Sequence, residues 1–209
     1  DLYKMKEHGL RYDLTFIPPR MLGCEFVKTA GHYHSIVSAT NSKMQERLKL
    51  LSTDITFPEI YEVLAGEANY ILQKLDNDTI KDVILIEARK GDKVIIPPGY
   101  GHLTINSSDK VLKMANWIAL NAESIYSPIA EKGGGAYFFL RDGLVKNSKY
   151  VNIPEIRIMK PFDLQNSKVL SNIGLKKEQY MYDLVKDIKK LEFLTKPQEY
   201  VWLFEELYN

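Results

Sequence analysis

The chain has 209 residues, 45% of them hydrophobic and 26% charged, with a formal net charge of +1. That length holds one well-buried core with appendages, and the near-zero charge gives neither nucleic acid nor an anionic membrane an electrostatic hold, so an anionic ligand must be gripped locally. The single cysteine, Cys24, excludes an intramolecular disulfide and a CxxC zinc site and fits a reducing cytoplasm, and no apolar run nears the roughly 20 residues of a membrane span.

The opening DLYKMKEHG is polar and lacks the apolar centre of a secretion signal, which points to a soluble, cytoplasmic protein. Its first residue is not Met, which suggests that the natural start lies upstream. His8 reads as an exposed or capping residue. Short runs rich in Val, Ile, Tyr and Phe follow, broken by Gly, Pro, Asn and Asp: YDLTFI (12–17), CEFVKTAGHYH (24–34), EIYEVLAGEANYILQK (59–74), DVILIEA (82–88), DKVIIP (92–97), HLTINSS (102–108) and VLKMANWIAL (111–120). Many strands with short turns and no helices between them predict an antiparallel barrel or sandwich. Cys24 is expected as a small buried apolar group, and Trp117 and Trp202 as packing anchors.

Residues 35–58 break this rhythm, with helical character at Lys43 to Leu51 and flanks rich in Ser and Thr. Such a long connection is a lid or a surface excursion. Towards the C-terminus, Tyr180, Leu184, Ile188 and Leu191, then Tyr200, Leu203 and Leu207 after Pro197, fall at helical spacings and predict two short amphipathic helices. The expected organisation is a barrel over 1–160 carrying the 35–58 insertion, with a helical appendage over 161–209 packed on it.

The chemistry concentrates in the histidines. On an extended strand His32 and His34 of TAGHYH point one way and Tyr33 the other, so two imidazoles converge if that face is interior. GDKVIIPPGYGHLTIN (91–106) brings a third, His102, at the start of the next strand. Three histidines on two hairpins call for a carboxylate as fourth metal ligand. PEIYEVLAG offers Glu59, on one face with Tyr61 and Val63, or Glu62 on the other with Ile60 and Leu64, and hydrophobicity alone admits either.

The second segment resembles the second cupin motif, G-x5-P-x-G-x2-H-x3-N, at Gly91, Pro97, Gly99, His102 and Asn106. The first motif, G-x5-H-x-H-x3-4-E-x6-G, is matched by His32, His34, Glu59 and Gly66; Phe26 replaces its first glycine, and 24 residues separate His34 from the Glu. The Glu-to-Gly spacing selects Glu59. The resemblance implies an all-β core, a cupin (double-stranded β-helix, jelly-roll) barrel, with short C-terminal helices.

Within the cupins, TAGHYH, PEIYEVLAG, PPGYGHLTIN and YSPIAEKGG (126–134) resemble the metal-dependent glucose-6-phosphate isomerases of archaea and some bacteria, from about Leu10 to Gly134. The resemblance implies a homodimer that interconverts D-glucose 6-phosphate and D-fructose 6-phosphate in glycolysis and gluconeogenesis. It also implies one divalent ion per subunit on His32, His34, Glu59 and His102, leaving positions open for the sugar oxygens. Fe2+ or Mn2+ suits that coordination, with Zn2+, Co2+ or Ni2+ as alternatives.

By the same resemblance Glu59 is the base of a cis-enediol route, with a direct hydride shift as the other route. Tyr61 either contacts substrate or serves as a core aromatic. Thr15, Thr29, Gly31 and Tyr126 correspond to phosphate contacts, and Tyr3 loosely to a further tyrosine; Lys28 and Lys132 are possible electrostatic helpers. Two positions depart: Ile118 stands where the family has a second active-site tyrosine, and Ser124 replaces a nearby histidine. Alternatives are a mannose-6-phosphate isomerase-like activity, a cupin that binds sugar without catalysis, or an Fe-dependent dioxygenase.

Overall fold

The β-branched and aromatic runs form β1 (Leu10–Ile17), β2 (Met21–Leu22), β3 (Glu25–Phe26), β4 (Tyr33–His34), β5 (Glu59–Ala65), β6 (Glu67–Asp76) and β7 (Thr79–Arg89). They continue in β8 (Lys93–Ile96), β9 (Tyr100–Ile105), β10 (Leu112–Ala119), β11 (Ser124–Ile125), β12 (Tyr137–Leu140), β13 (Gly143–Lys146) and β14 (Arg157–Met159). This computed structural model describes residues 1–37, 55–76, 79–161, 168–205 and 207–208. The expected helical stretch Lys43 to Leu51 lies outside the described residues. The ends of that insertion meet: Val37 N–H donates to Ile55 O at 2.8 Å and Phe57 N–H to Ser35 O at 3.2 Å.

Two four-stranded sheets, ordered β1-β10-β5-β8 and β14-β7-β6-β9, face each other as a jelly-roll barrel of the cupin type. Alternation sends Ile17, Tyr61, Val63 and Met114 from the first sheet against Tyr70, Leu72, Ile84 and Ile86 from the second, making the interior core. The opposite faces are covered too. Ile71, Val83, Leu85 and Leu103 lie under Tyr137 and Tyr150, whereas Ile60, Ile95 and Trp117 lie under the C-terminal segment.

That segment differs from the two predicted helices. It runs through a 3-10 stretch, Met181–Leu191, broken at Asp187 (φ −130°, ψ 57°), and then short turns at Glu192–Thr195, Pro197–Glu199 and Val201–Phe204. Its start is pinned, with Trp117 Nε1–H donating to Met181 O at 3.0 Å. Met181, Leu184, Val185 and Ile188 are buried, while Tyr180, expected on the apolar side, is 57% exposed. Three further differences from the sequence reading stand out. Cys24 is exposed, because it sits in the tight β2–β3 hairpin instead of within a long strand. Trp202 projects from the outermost helical turn, half exposed, and so anchors little. An unpredicted helix, α1 (Leu2–Glu7), precedes the barrel with His8 as its C-cap and buries Met5 among the C-terminal side chains.

Candidate metal centre and substrate cleft

His32 and His102 sit opposite each other as a two-way backbone pair, His32 N–H to His102 O at 3.1 Å and His102 N–H to His32 O at 2.9 Å. Tyr33 points away from the two histidines, accepts from Gln73 Nε2–H at 3.0 Å, and lies flat on Gly101. A Cβ at Gly101 would come within 2.5 Å of the Tyr33 ring, so glycine is what lets the β4 and β9 chains approach. Glu59 opens β5 on the inner face with Tyr61 and Val63, whereas Ile60 packs under the C-terminal segment. Glu62 turns outward, is buried, and pairs with Lys93. The face left open by hydrophobicity is thereby assigned.

One ligand atom from each of His32, His34, Glu59 and His102 lies within 4.8 Å of every other. His34 Nδ1 is 2.8 Å from Phe57 O and His32 Nδ1 is 3.2 Å from Ala30 O. Donation to these carbonyls leaves each Nε2 as a bare lone pair facing the pocket. Glu59 Oε2 stands 3.3 Å from both His34 Nε2 and His102 Nε2, yet among the described residues Oε2 and His34 Nε2 are buried without a hydrogen bond. Buried polar atoms are ordinarily satisfied, and acceptors converging without a donor are satisfied by a cation. The donor set, three imidazoles and a carboxylate, suits a first-row divalent ion, so the residues present fit a metal.

The charge states agree. Burial holds His32 down to about 4, with neighbouring His102 adding to the effect, so it is neutral and ligand-ready at pH 7. Burial likewise lowers His102. For Glu59 burial acts upward, but the His102 and His34 imidazoles outweigh it and hold the carboxyl well below its usual range. Since folded His32 and His102 refuse protons that the unfolded chain accepts near 6.5, their contribution to stability is present above that value and is lost as pH falls below it, for His32 down to about 4. The chelator-treated protein is therefore expected to show a melting temperature that declines on acidification from pH 6.5 to 5, above the range where ordinary carboxylates titrate. A flat profile in that window would contradict these shifts.

The other expected site residues are spread around this quartet. Tyr61 is buried, with its hydroxyl 3.2 Å from His102 Nε2, and burial together with the Glu59 charge keeps it protonated. The Tyr126 ring is 5.3 Å from that of His32 and is half exposed. Thr29 Oγ1 accepts from Thr104 N–H at 2.9 Å, which leaves the hydroxyl proton to donate elsewhere. Gly31 is a close approach: a Cβ there would lie 2.9 Å from Ile129. Thr15 faces inward in the row of Met114 and Val63, about 13 Å along the strands from the row of Glu59. Tyr3 is exposed on α1; Lys28 pairs with Glu25, and Lys132 lies over the Tyr150 ring. Sequence reasoning passed over Thr104, whose buried hydroxyl has no partner among the described residues, and the inward polar residues Arg11, Asp13 and Asn116. Counting by twos back from Thr15 would have found Asp13 and Arg11.

The model of the family described as glucose-6-phosphate isomerase matches residues 2–155. A glucose-6-phosphate isomerase of Thermococcus litoralis is 30% identical over 128 residues, 61% of this chain and 56% of that one. That of Pyrococcus abyssi is 28% identical over 141 residues, 68% of this chain and 63% of that one. The chain thus spans less than two thirds of the length of these curated relatives. Among solved structures, an oxalate oxidase superposes with a TM-score of 0.40 at 16% identity over 56% of this chain and 46% of that one.

Proposed function

We propose, because this chain belongs to the glucose-6-phosphate isomerase family, that it interconverts D-glucose 6-phosphate and D-fructose 6-phosphate with a divalent ion held by His32, His34, Glu59 and His102. The observation that carries this reading is the convergence of those four buried or half-buried side chains within 4.8 Å of one another, with His34 Nε2 and Glu59 Oε2 left without a hydrogen-bond partner among the described residues. Fe2+ or Mn2+ is the preferred occupant, and Zn2+, Co2+ and Ni2+ remain chemically acceptable.

When bound, the ion supplies Lewis acidity, polarising a carbonyl oxygen and stabilising the charge that develops on it. The chain's own groups do the rest. Isomerisation moves one hydrogen from C2 to C1 and one proton from O2 to O1. If the C2 hydrogen leaves as a proton, Glu59 is the carboxylate that carries it to C1, being ionised and facing the pocket. If it crosses as hydride, Glu59 serves only as a ligand. Tyr61, held protonated, donates a hydrogen bond to a sugar oxygen in either route. Thr29, through its hydroxyl proton, together with Thr15, Gly31 and Tyr126, is proposed to grip the phosphate. A cytoplasmic homodimer acting in glycolysis and gluconeogenesis completes the proposal.

The deciding experiment is a coupled assay for fructose 6-phosphate on protein stripped with chelator and reconstituted with each ion in turn. Turnover that disappears with chelator and returns with metal is expected. Failure of every aldose phosphate with every ion would overturn the assignment, and oxygen uptake would point to dioxygenase chemistry instead.

A further inference from the structure

We infer that Arg11, Asp13 and Asn116 form a second polar subsite on the inner wall, built to take two neighbouring hydroxyls of the sugar chain; the inference rests on the function proposed above. Strand register places them. Arg11 lies opposite Ile118 and Ile118 opposite Glu59, while Asp13 lies opposite Asn116 and Asn116 opposite Tyr61. Direct cross-strand partners share a face, so all three point into the barrel beside the metal quartet, Arg11 about 10 Å from Glu59 between Cα atoms.

The cluster is knitted but not saturated. Asp13 Oδ2 accepts from Arg11 Nε–H at 2.9 Å and from Asn116 Nδ2–H at 3.4 Å. Among the described residues the terminal amino groups of Arg11 and Asp13 Oδ1 have no side-chain partner. Asn116 is 5% exposed between Met114 and Ile118, and its long bond to Asp13 leaves the amide able to exchange that partner for a ligand hydroxyl. Arg11 and Asp13, with side chains 38% and 45% exposed, stay within reach of an entering molecule. Ile118 stands between the cluster and the quartet, as the cross-strand partner of Arg11 on one side and of Glu59 on the other.

The chemistry favours hydroxyls over phosphate. A paired guanidinium and carboxylate are neutral together and so attract a dianion weakly, whereas the free carboxylate oxygen, the amide and the amino groups can accept from and donate to adjacent hydroxyls. The test measures KM and kcat for glucose 6-phosphate, and the inhibition constant of inorganic phosphate, in Arg11→Met, Arg11→Lys and Asp13→Asn, with melting temperature and metal content as controls. KM is expected to rise about 10-fold in Arg11→Met and Asp13→Asn, with partial recovery in Arg11→Lys and no change in phosphate inhibition. Unchanged KM in all three overturns the subsite, and so does phosphate inhibition weakening in step with KM. Calorimetric binding of glucose 6-phosphate separates the two levels: should the wild-type protein turn over no aldose phosphate, weaker binding in the variants still supports the subsite while the functional reading falls, and unchanged binding removes both.

Discussion

Replacing His102 by alanine is expected to lower affinity for divalent metal by at least about 10²-fold, since even loss of a residue supporting a ligand costs 10- to 100-fold, and to remove isomerase turnover with it. His102 is central to the quartet. Its ring lies 4.5 Å from that of His32 and 5.2 Å from that of His34, and its Nε2 is 3.3 Å from Glu59. The backbone pairing with His32 does not depend on the imidazole, so the two ligand strands stay in register. Among the described residues Nδ1 is buried without a partner, so the side-chain hydrogen bond that the metal-free fold loses is the one between Nε2 and the Tyr61 hydroxyl, which costs about 1–3 kcal/mol. The variant should therefore fold and fail to load. Elemental analysis after reconstitution checks this, and a full equivalent of metal held with unchanged affinity would remove His102 from the centre.

Much of that centre was legible in the sequence because strand alternation and turn spacing are local. His32 and His34 flanking Tyr33, and His102 following a Pro-Gly turn, need only a period of two and one hairpin. The choice between Glu59 and Glu62 was not decidable from hydrophobicity, and the structure gives the reason: β5 is covered on both sides, by the barrel core around Val63 and by the C-terminal segment around Ile60. A strand buried on two faces carries no amphipathic signal. In β1 the signal is reversed. Leu14 and Phe16 are 57% and 59% exposed, while Arg11, Asp13 and Thr15 turn inward, so the apolar and polar faces are exchanged relative to an ordinary barrel strand. The C-terminal helices show a different failure. Tyr180 to Leu191 has helical spacing, but the segment bends at Asp187 and is fixed by bonds to distant strands that no local pattern records.

Those bonds carry the second large expectation, that Lys93→Met destabilises the protein by about 3–5 kcal/mol and lowers its melting temperature by on the order of 10 °C. Lys93 is 1% exposed on the outer side of β8. Its ammonium donates to Gly91 O at 2.9 Å, Lys177 O at 2.6 Å and Gln179 O at 2.9 Å, and lies 3.3 Å from Glu62 Oε1. Glu62 Oε2 in turn accepts from Met181 N–H at 2.7 Å. Burial lowers the Lys93 pKa while Glu62 opposes the change, so charge and partner sustain each other. Methionine fills the space but leaves a buried carboxylate unpaired and carbonyls of the C-terminal segment without a donor. The segment is then expected to loosen first, seen as new protease cleavage between 176 and 191, a stretch packed by Met181, Leu184 and Ile188 against Trp117. Glu59 and Tyr61 share β5 with Glu62 but face the other way, so metal uptake at low temperature should persist while stability falls. Removing both charges in Lys93→Met with Glu62→Leu should destabilise less than Lys93→Met alone, because no charge is stranded. A urea titration that finds less than about 1 kcal/mol for the single variant, or equal loss in single and double, would show that the pair does not hold the C-terminal segment to the barrel.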